Sequence, residues 1–315
     1  MEIVSVTDHD RDRARRLAEA TGARTRRTFD ELIAEGDVDA VVVATPPGAH
    51  AQAVIPALEA GLGVFVEKPL ARAQDDADAI TEAAERTGQV CGVGYQWRSV
   101  DAVAALAREL AGQETRLLLS QGIGVTQARP WFLDAGQSGR LISERASHHI
   151  DLQRMLGGEV VEVQASGSDV QLASLTDAAS LPPDRRLETT VSLALRFASG
   201  ALGAIHVIWT QDGYPSRHRL TAFGSDSSFE LELDPEFRLR DCRGDRVLGS
   251  PQTPAPFAAA LIRFVEATRR RDPDAVDCTP REAAGTLSVA LACERALATY
   301  GTVPAGRPPP RGTGP

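Results

Sequence analysis

Lysine is almost absent: all but one of the 34 basic side chains are arginine, and the exception is Lys68. Aromatic residues make up 5% of the 315 positions and methionine occurs twice. Long apolar runs are missing, as are a basic N-terminal region and an apolar leader, so the reading is a cytoplasmic protein with no membrane partner. The four cysteines, Cys91, Cys242, Cys278 and Cys293, have no C-x-x-C or zinc-type spacing, which predicts reduced thiols and no metal. Positive charge is not concentrated either. With a net charge of -9 and arginines interleaved with acids, nucleic acid is excluded as a general partner. No internal repeat is visible.

What remains is an ordinary globular composition, 43% hydrophobic and 24% charged, with length enough for two domains. Strand and helix signals alternate through the first third. Apolar strands are predicted at 3–6, 39–45, 63–66 and 89–94. Helices are predicted at 10–21 (stopped by Gly22), from the Thr28/Glu31 capping pair to Glu35, at 50–60 and at 74–87. That rhythm predicts a doubly wound parallel sheet over residues 1–115. After a helix at 100–110 the pattern changes to longer strands at 116–125, 160–170, 187–197, 201–210, 217–223 and 228–233. A helix at 141–156 interrupts them, and two more, 256–271 and 280–300, follow. Residues 116–303 therefore read as an α+β domain with a large, mostly antiparallel open sheet, and the Pro/Gly-rich stretch 304–315 as a disordered tail.

The stretch Gly63-Val-Phe-Val-Glu67-Lys68-Pro69 is a short buried strand that delivers a carboxylate and the single ammonium at its C-terminal end, the ligand-binding end of an open α/β sheet. In the second domain Glu144, His148 and Asp151 stand at i, i+4 and i+7, on one face of a helix, with His149 turned about 100° away. Such a stripe serves a catalytic constellation or a solvated helix face. A metal site would need a further ligand, which the neighbourhood does not supply.

Glu67-Lys68-Pro69, with Ala44-Thr45-Pro46-Pro47-x-x-His50 before it and Glu144-x-x-x-His148-x-x-Asp151 after it, resembles the Gfo/Idh/MocA oxidoreductases, relatives of glucose-fructose oxidoreductase and inositol dehydrogenase. The resemblance runs to about residue 300. It implies a Rossmann domain for NAD or NADP, a C-terminal domain with an open sheet, and hydride transfer to or from a sugar, cyclitol or related polyol. By the same resemblance Lys68, His148 and Glu144 are the catalytic group. His148 takes the hydroxyl proton, Glu144 orients its ring, and Lys68 donates to the developing oxyanion. Thr45, Pro46, His50, Glu67 and Lys68 line the cofactor. Asp8, at the end of its strand, accepts from the adenosine ribose and favours NAD. Tyr95, Arg98, Trp131 and Asp151 are the candidate substrate contacts, with Arg129 beside Trp131 and Trp97 beside Arg98. A cis bond is expected before Pro69.

The family's first strand, G-x-G-x-x-G turn and helix are missing ahead of Met1, which removes most of the pyrophosphate cradle and the strand between those at 3–6 and 40–44. The expectation is that the natural product begins upstream. Two other readings stay open: a hydrolase that oxidises and re-reduces its sugar on bound NAD, and a cofactor-deficient partner subunit. The open sheet predicts a homodimer or homotetramer.

Overall fold

In the computed structural model the chain is described over residues 1–125, 140–168, 188–210, 214–243 and 255–299, with the backbone of 302–304. β1 (Ser5–Val6) runs into α1 (Arg11–Thr21). Asp10 caps that helix by accepting from the amides of Asp12 and Arg13, and Gly22 ends it at φ 75°, in the left-handed region a side chain disfavours. β2 (Arg24–Thr25) pairs in parallel with β1. α2 (Phe29–Ala34) begins where Thr28 accepts from the Glu31 amide, as the capping pair predicts. Then come β3 (Ala40–Val43), α3 (His50–Glu59), β4 (Gly63–Val66), α4 (Gln74–Thr87) and β5 (Cys91–Val93). The last three strands form a parallel sheet in the order β3-β4-β5, while β1 and β2 form a separate two-stranded sheet. β4 is central and all four of its residues are buried, which is why it reads as an uninterrupted apolar run.

α5 (Asp101–Leu110) leads to the second half: β6 (Leu117–Val125), α6 (Ser147–Gly157), β7 (Val160–Ser168), β8 (Thr190–Phe197), β9 (Leu202–Thr210), β10 (Arg217–Phe223), β11 (Ser228–Asp234) and β12 (Arg238–Asp241). α7 (Pro256–Arg270), α8 (Pro280–Thr299) and β13 (Thr302–Pro304) follow. Eight strands join one sheet in the order β12-β11-β10-β6-β9-β8-β7-β13. Every neighbouring pair is antiparallel except β6 and β9, which run parallel. Three strands escape the sequence pattern, β2, β12 and β13, each of four residues or fewer and too short to show a period. Pro304, assigned to the tail, ends an edge strand opposite Glu162, and residues 305–315 lie outside the described residues.

α6 lies on the inner face of the large sheet. Its Gln153 is fully buried and its amide donates to Ser120 Oγ (2.9 Å) on β6 and to the Ala204 carbonyl (3.0 Å) on β9, which fixes the helix across the parallel pair. The two closing helices follow the sheet in sequence but also pack on the first half. Phe264 of α7 meets Phe65 of β4 at 5.6 Å between ring centroids. α8 contributes Ala283, Ala284 and Leu287 to the core around β4, and Val289, Ala292 and Cys293 to the core of the large sheet. One helix thus belongs to both cores and holds the ligand-facing ends of β3–β5 opposite α6.

Candidate active site

The rim is built at the C-terminal ends of β3 and β4. The Glu67 amide donates to the Val43 carbonyl and the Gly94 amide to that of Val66, which carries the sheet one residue past β4. The Lys68–Pro69 bond is cis. His50, fully buried, faces the carbonyl oxygens of Thr45 (2.9 Å) and Leu70 (3.1 Å), stitching the loop after β3 to the loop after β4, and burial holds its ring below the usual imidazole range. Thr45 and Pro46 are exposed beside it. The Glu67 carboxylate accepts from the Lys68 amide (3.2 Å), and burial raises its pKa against the pull of the Lys68 cation. It occupies space that a side chain at Gly94 would crowd, since a Cβ there would stand 3.0 Å from Oε2. At the end of β1, Asp8 accepts from the Asp10 amide (2.8 Å) and stands 3.6 Å from Arg13 Nε.

Lys68 reaches across to the other half of the molecule. Its ammonium donates to Glu144 Oε1 and to the Glu144 carbonyl, both at 2.8 Å. The pair is largely withdrawn from solvent, with side-chain exposures of 13% and 23%. Glu144 belongs to a π turn, Ile142–Ala146, that opens α6, where the sequence predicts plain α-helix from Leu141. The expected contact between Glu144 and the His148 ring is not made: the carboxylate goes to the ammonium, because an ion is the stronger partner for it than an imidazole kept neutral by burial. His148 Nδ1 is buried with no hydrogen-bond partner. Desolvation first, then the charges of Lys68 and Arg145, drive its pKa well below the ordinary value. Tyr95 stands edge-on to this ring at 5.6 Å and Trp97 lies against it at 5.0 Å. A proton acceptor whose Nδ1 has no competing partner therefore sits beside a held cation where the two halves of the chain meet.

Arg98 and Asp151 bind one another. Nε and Nη2 donate to the two Asp151 oxygens at 2.8 Å each, with side-chain exposures of 5% and 2%. Arg98 also reaches Glu282 Oε1 (2.6 Å), and Thr286 donates to Asp151 Oδ1 (3.0 Å). This network joins the segment after β5 to α6 and α8, and it engages two of the four residues that the sequence assigns to substrate, Arg98 and Asp151. Trp131 and Arg129 lie outside the described residues.

Sequence reasoning missed a second histidine cluster. His149 is fully buried and faces His218 of β10, with Nε2 and Nδ1 3.2 Å apart, and Trp97 touches both rings. Burial pushes His149 well below the usual range and His218 to about 4. The signal was faint but present: His218, Leu220 and Ala222 alternate on the buried face of β10, and His218 stands opposite Gly122, where a Cβ would come within 2.7 Å of His149 Nε2. Among the described residues no group of three or more His, Cys, Asp or Glu is arranged to hold a metal ion, and no helix is long and apolar enough to cross a membrane.

Residues 1–95 match the family described as oxidoreductase family, NAD-binding Rossmann fold, and residues 114–230 match the GFO/IDH/MocA C-terminal domain. Inositol 2-dehydrogenase 3 of Saccharopolyspora erythraea is 37% identical over 167 residues, 52% of this chain and 48% of that protein, so the chain spans about half the length of that relative. Myo-inositol dehydrogenase Hyg17 of Streptomyces leeuwenhoekii is 29% identical over 94% of this chain and 90% of its own length. Among solved structures, levoglucosan dehydrogenase in complex with NADH and levoglucosan superposes with a TM-score of 0.82 at 20% identity, covering 96% of this chain and 90% of that one, a likeness of fold.

Proposed function

Because this chain belongs to the Gfo/Idh/MocA family of oxidoreductases, we propose that it moves a hydride between NAD and the carbinol carbon of a sugar, cyclitol or related polyol. The single observation that carries this reading is the meeting, across the domain boundary, of the Lys68 ammonium with Glu144 beside His148, whose Nδ1 has no hydrogen-bond partner. Inositol and levoglucosan dehydrogenases among its relatives support the substrate class, and the NADH in the levoglucosan dehydrogenase complex supports the cofactor.

The rim offers part of a dinucleotide site. Glu67 presents a carboxylate at the end of β4 for a ribose hydroxyl, Gly94 leaves room for it, and exposed Thr45 and Pro46 offer backbone and apolar surface after β3. Asp8 stands at the end of β1 in the separate two-stranded sheet. The Gly-rich turn that would hold the pyrophosphate is not among these residues. NAD is favoured over NADP because a carboxylate at residue 8 repels a 2'-phosphate. When bound, the nicotinamide supplies the two-electron acceptor or donor. The rest falls to this chain. His148, neutral through the physiological range, accepts the substrate O–H proton. Lys68 donates to the oxygen as it changes between hydroxyl and carbonyl, and Glu144 fixes the direction of that donation. Tyr95 and Trp97 wall the imidazole off from water. Arg98 and Asp151 hold α6, and with it His148, against the first domain.

The same reading divides the chain near residue 115 into a nucleotide domain and a substrate domain. It also places a homodimer or homotetramer contact on the outer face of the large sheet, where Leu119 and Leu202 are exposed and Ile123, Ile208 and Phe223 are half-buried. A reducing cytoplasm suits its four free thiols. The test is NADH formation at 340 nm with a panel of polyols. His148→Gln and Lys68→Met are each expected to lose about 10²–10⁴ in kcat while still binding NADH, followed by nicotinamide fluorescence. Undiminished turnover by His148→Gln refutes the assignment.

A further inference from the structure

Arg145 is the one charged side chain of the catalytic turn that the chemistry above leaves unused. It shares the π turn with Glu144, and its guanidinium lies flat over Gly124 near the end of β6. That position depends on the glycine, because a Cβ at residue 124 would stand 2.0 Å from Nη2 and 2.7 Å from Cζ. Its Nε is buried with no hydrogen-bond partner. Among the described residues no carboxylate oxygen lies within 4.0 Å of it: Glu144 is taken by Lys68, and Asp234 acts on it only through space. It stands one residue from Glu144 and three from His148 at the opening of α6, and its charge acts on the rings of His148, His149 and His218. A half-buried guanidinium whose Nε lacks a partner, with no carboxylate within 4.0 Å among the described residues, is costly for the protein, and its fork geometry matches a carboxylate.

We propose that Arg145 anchors a carboxylate on the substrate, so that the polyol oxidised here is a sugar acid, an aldonate or uronate, rather than a neutral sugar or cyclitol. The inference rests on the dehydrogenase reading and narrows its substrate. The surrounding charge selects a carboxylate over a phosphate. Lys68 is already paired with Glu144, and Asp234 also acts on Arg145, so a monoanion is tolerated there better than a dianion. The acid group on Arg145 and the carbinol near His148 then fix both ends of the substrate, and which hydroxyl is oxidised follows from the distance between them.

The test compares matched pairs, gluconate with glucitol and galacturonate with galactose, together with glucose 6-phosphate, by NADH formation in wild type, Arg145→Gln and Arg145→Lys. Wild type is expected to prefer the acid of each pair over its neutral partner and over the phosphate. Arg145→Gln is expected to lower kcat/KM for the acid about 10–100-fold more than for the neutral partner, mainly through KM, and Arg145→Lys to restore part of it. Neutral substrates preferred by wild type, or an acid preference that survives in Arg145→Gln, overturns the proposal, and preference for the phosphate overturns the choice of carboxylate. If no compound is turned over, the dehydrogenase reading fails separately. The anion site is then judged by calorimetric titration of gluconate and glucitol: gluconate binding lost in Arg145→Gln upholds it, and equal binding of both compounds ends it. Thermal melting of each variant shows that it folds.

Discussion

Three buried imidazoles with no carboxylate oxygen within 4.0 Å among the described residues make this protein acid-labile in a calculable way. His148, His149 and His218 are each at most 8% exposed, and burial holds all three below the ordinary imidazole value of 6.5, His218 at about 4. At pH 7.5 they are neutral in both folded and unfolded chains and cost nothing. At pH 5.5 each is about 90% protonated in the unfolded chain and neutral in the fold, so the unfolded state binds more protons and stability falls with pH. Each ring then contributes a loss of about 1.4 kcal/mol, and the three together about 4 kcal/mol, a large share of a typical total of about 5–15 kcal/mol. The loss begins as pH drops through 6.5 and continues to about 4, where His218 takes up its proton in the fold. His50 acts in the same sense. Glu67 and Glu294 act oppositely, because their raised folded values make stability fall as pH rises above 4.5. Urea unfolding at pH 7.5, 6.5 and 5.5 measures the slope, and His218→Gln should reduce it by one proton, about 1.4 kcal/mol per pH unit. A free energy of unfolding flat to within about 1 kcal/mol between pH 7.5 and 5.5 would show that these rings do not stay neutral in the fold.

Asp151→Asn leaves the Arg98 guanidinium buried with Glu282 as its one paired counter-charge among the described residues. It should cost about 3–5 kcal/mol, a fall in melting temperature of about 5–8 °C for a chain of this size, and a shift below 1 °C would contradict it. Gly122→Ala puts a methyl group 2.7 Å from His149 Nε2 and should destabilise by about 1–3 kcal/mol while moving the histidine signals in NMR spectra; unchanged spectra would mean that the cluster is loose. In oxidation, kcat/KM should stay level through neutral pH and fall only on the acid side of 6.5, because the base is held below that value. An acid limb centred above pH 7 would assign the titration to another group.

The parts of this structure that rest on chain-local physics were readable from the residues. The buried strand before Lys68 shows as an unbroken apolar run, α1 and α2 announce their starts at Asp10 and Thr28, and α4 spans the predicted residues 74–87 before Gly88 at φ 64°. Lys68 itself stood out because nothing else in the chain shares its chemistry. What failed was pairing. Arg98 and Asp151 are 53 residues apart, each has the character of a ligand-binding side chain, and no pattern along the chain says that they satisfy one another.

Glu144 shows why that limit matters for chemistry. Spacing of i and i+4 placed it over His148, and on a uniform α-helix the carboxylate would choose that ring. Two facts invisible to spacing redirect it: the turn is wound as a π turn, and an ammonium from the other domain lies 2.8 Å away. In the proposed mechanism the carboxylate therefore fixes the donor Lys68 instead of the acceptor His148, whose ring packs against Tyr95 and Trp97. Replacing Glu144 by Gln should then act mainly through Lys68, weakening oxyanion stabilisation and the hold between the domains, while the acid limb set by His148 shifts little. If Glu144→Gln instead moves that limb as strongly as it lowers kcat, the carboxylate acts on the imidazole and the division of labour drawn from this geometry is wrong.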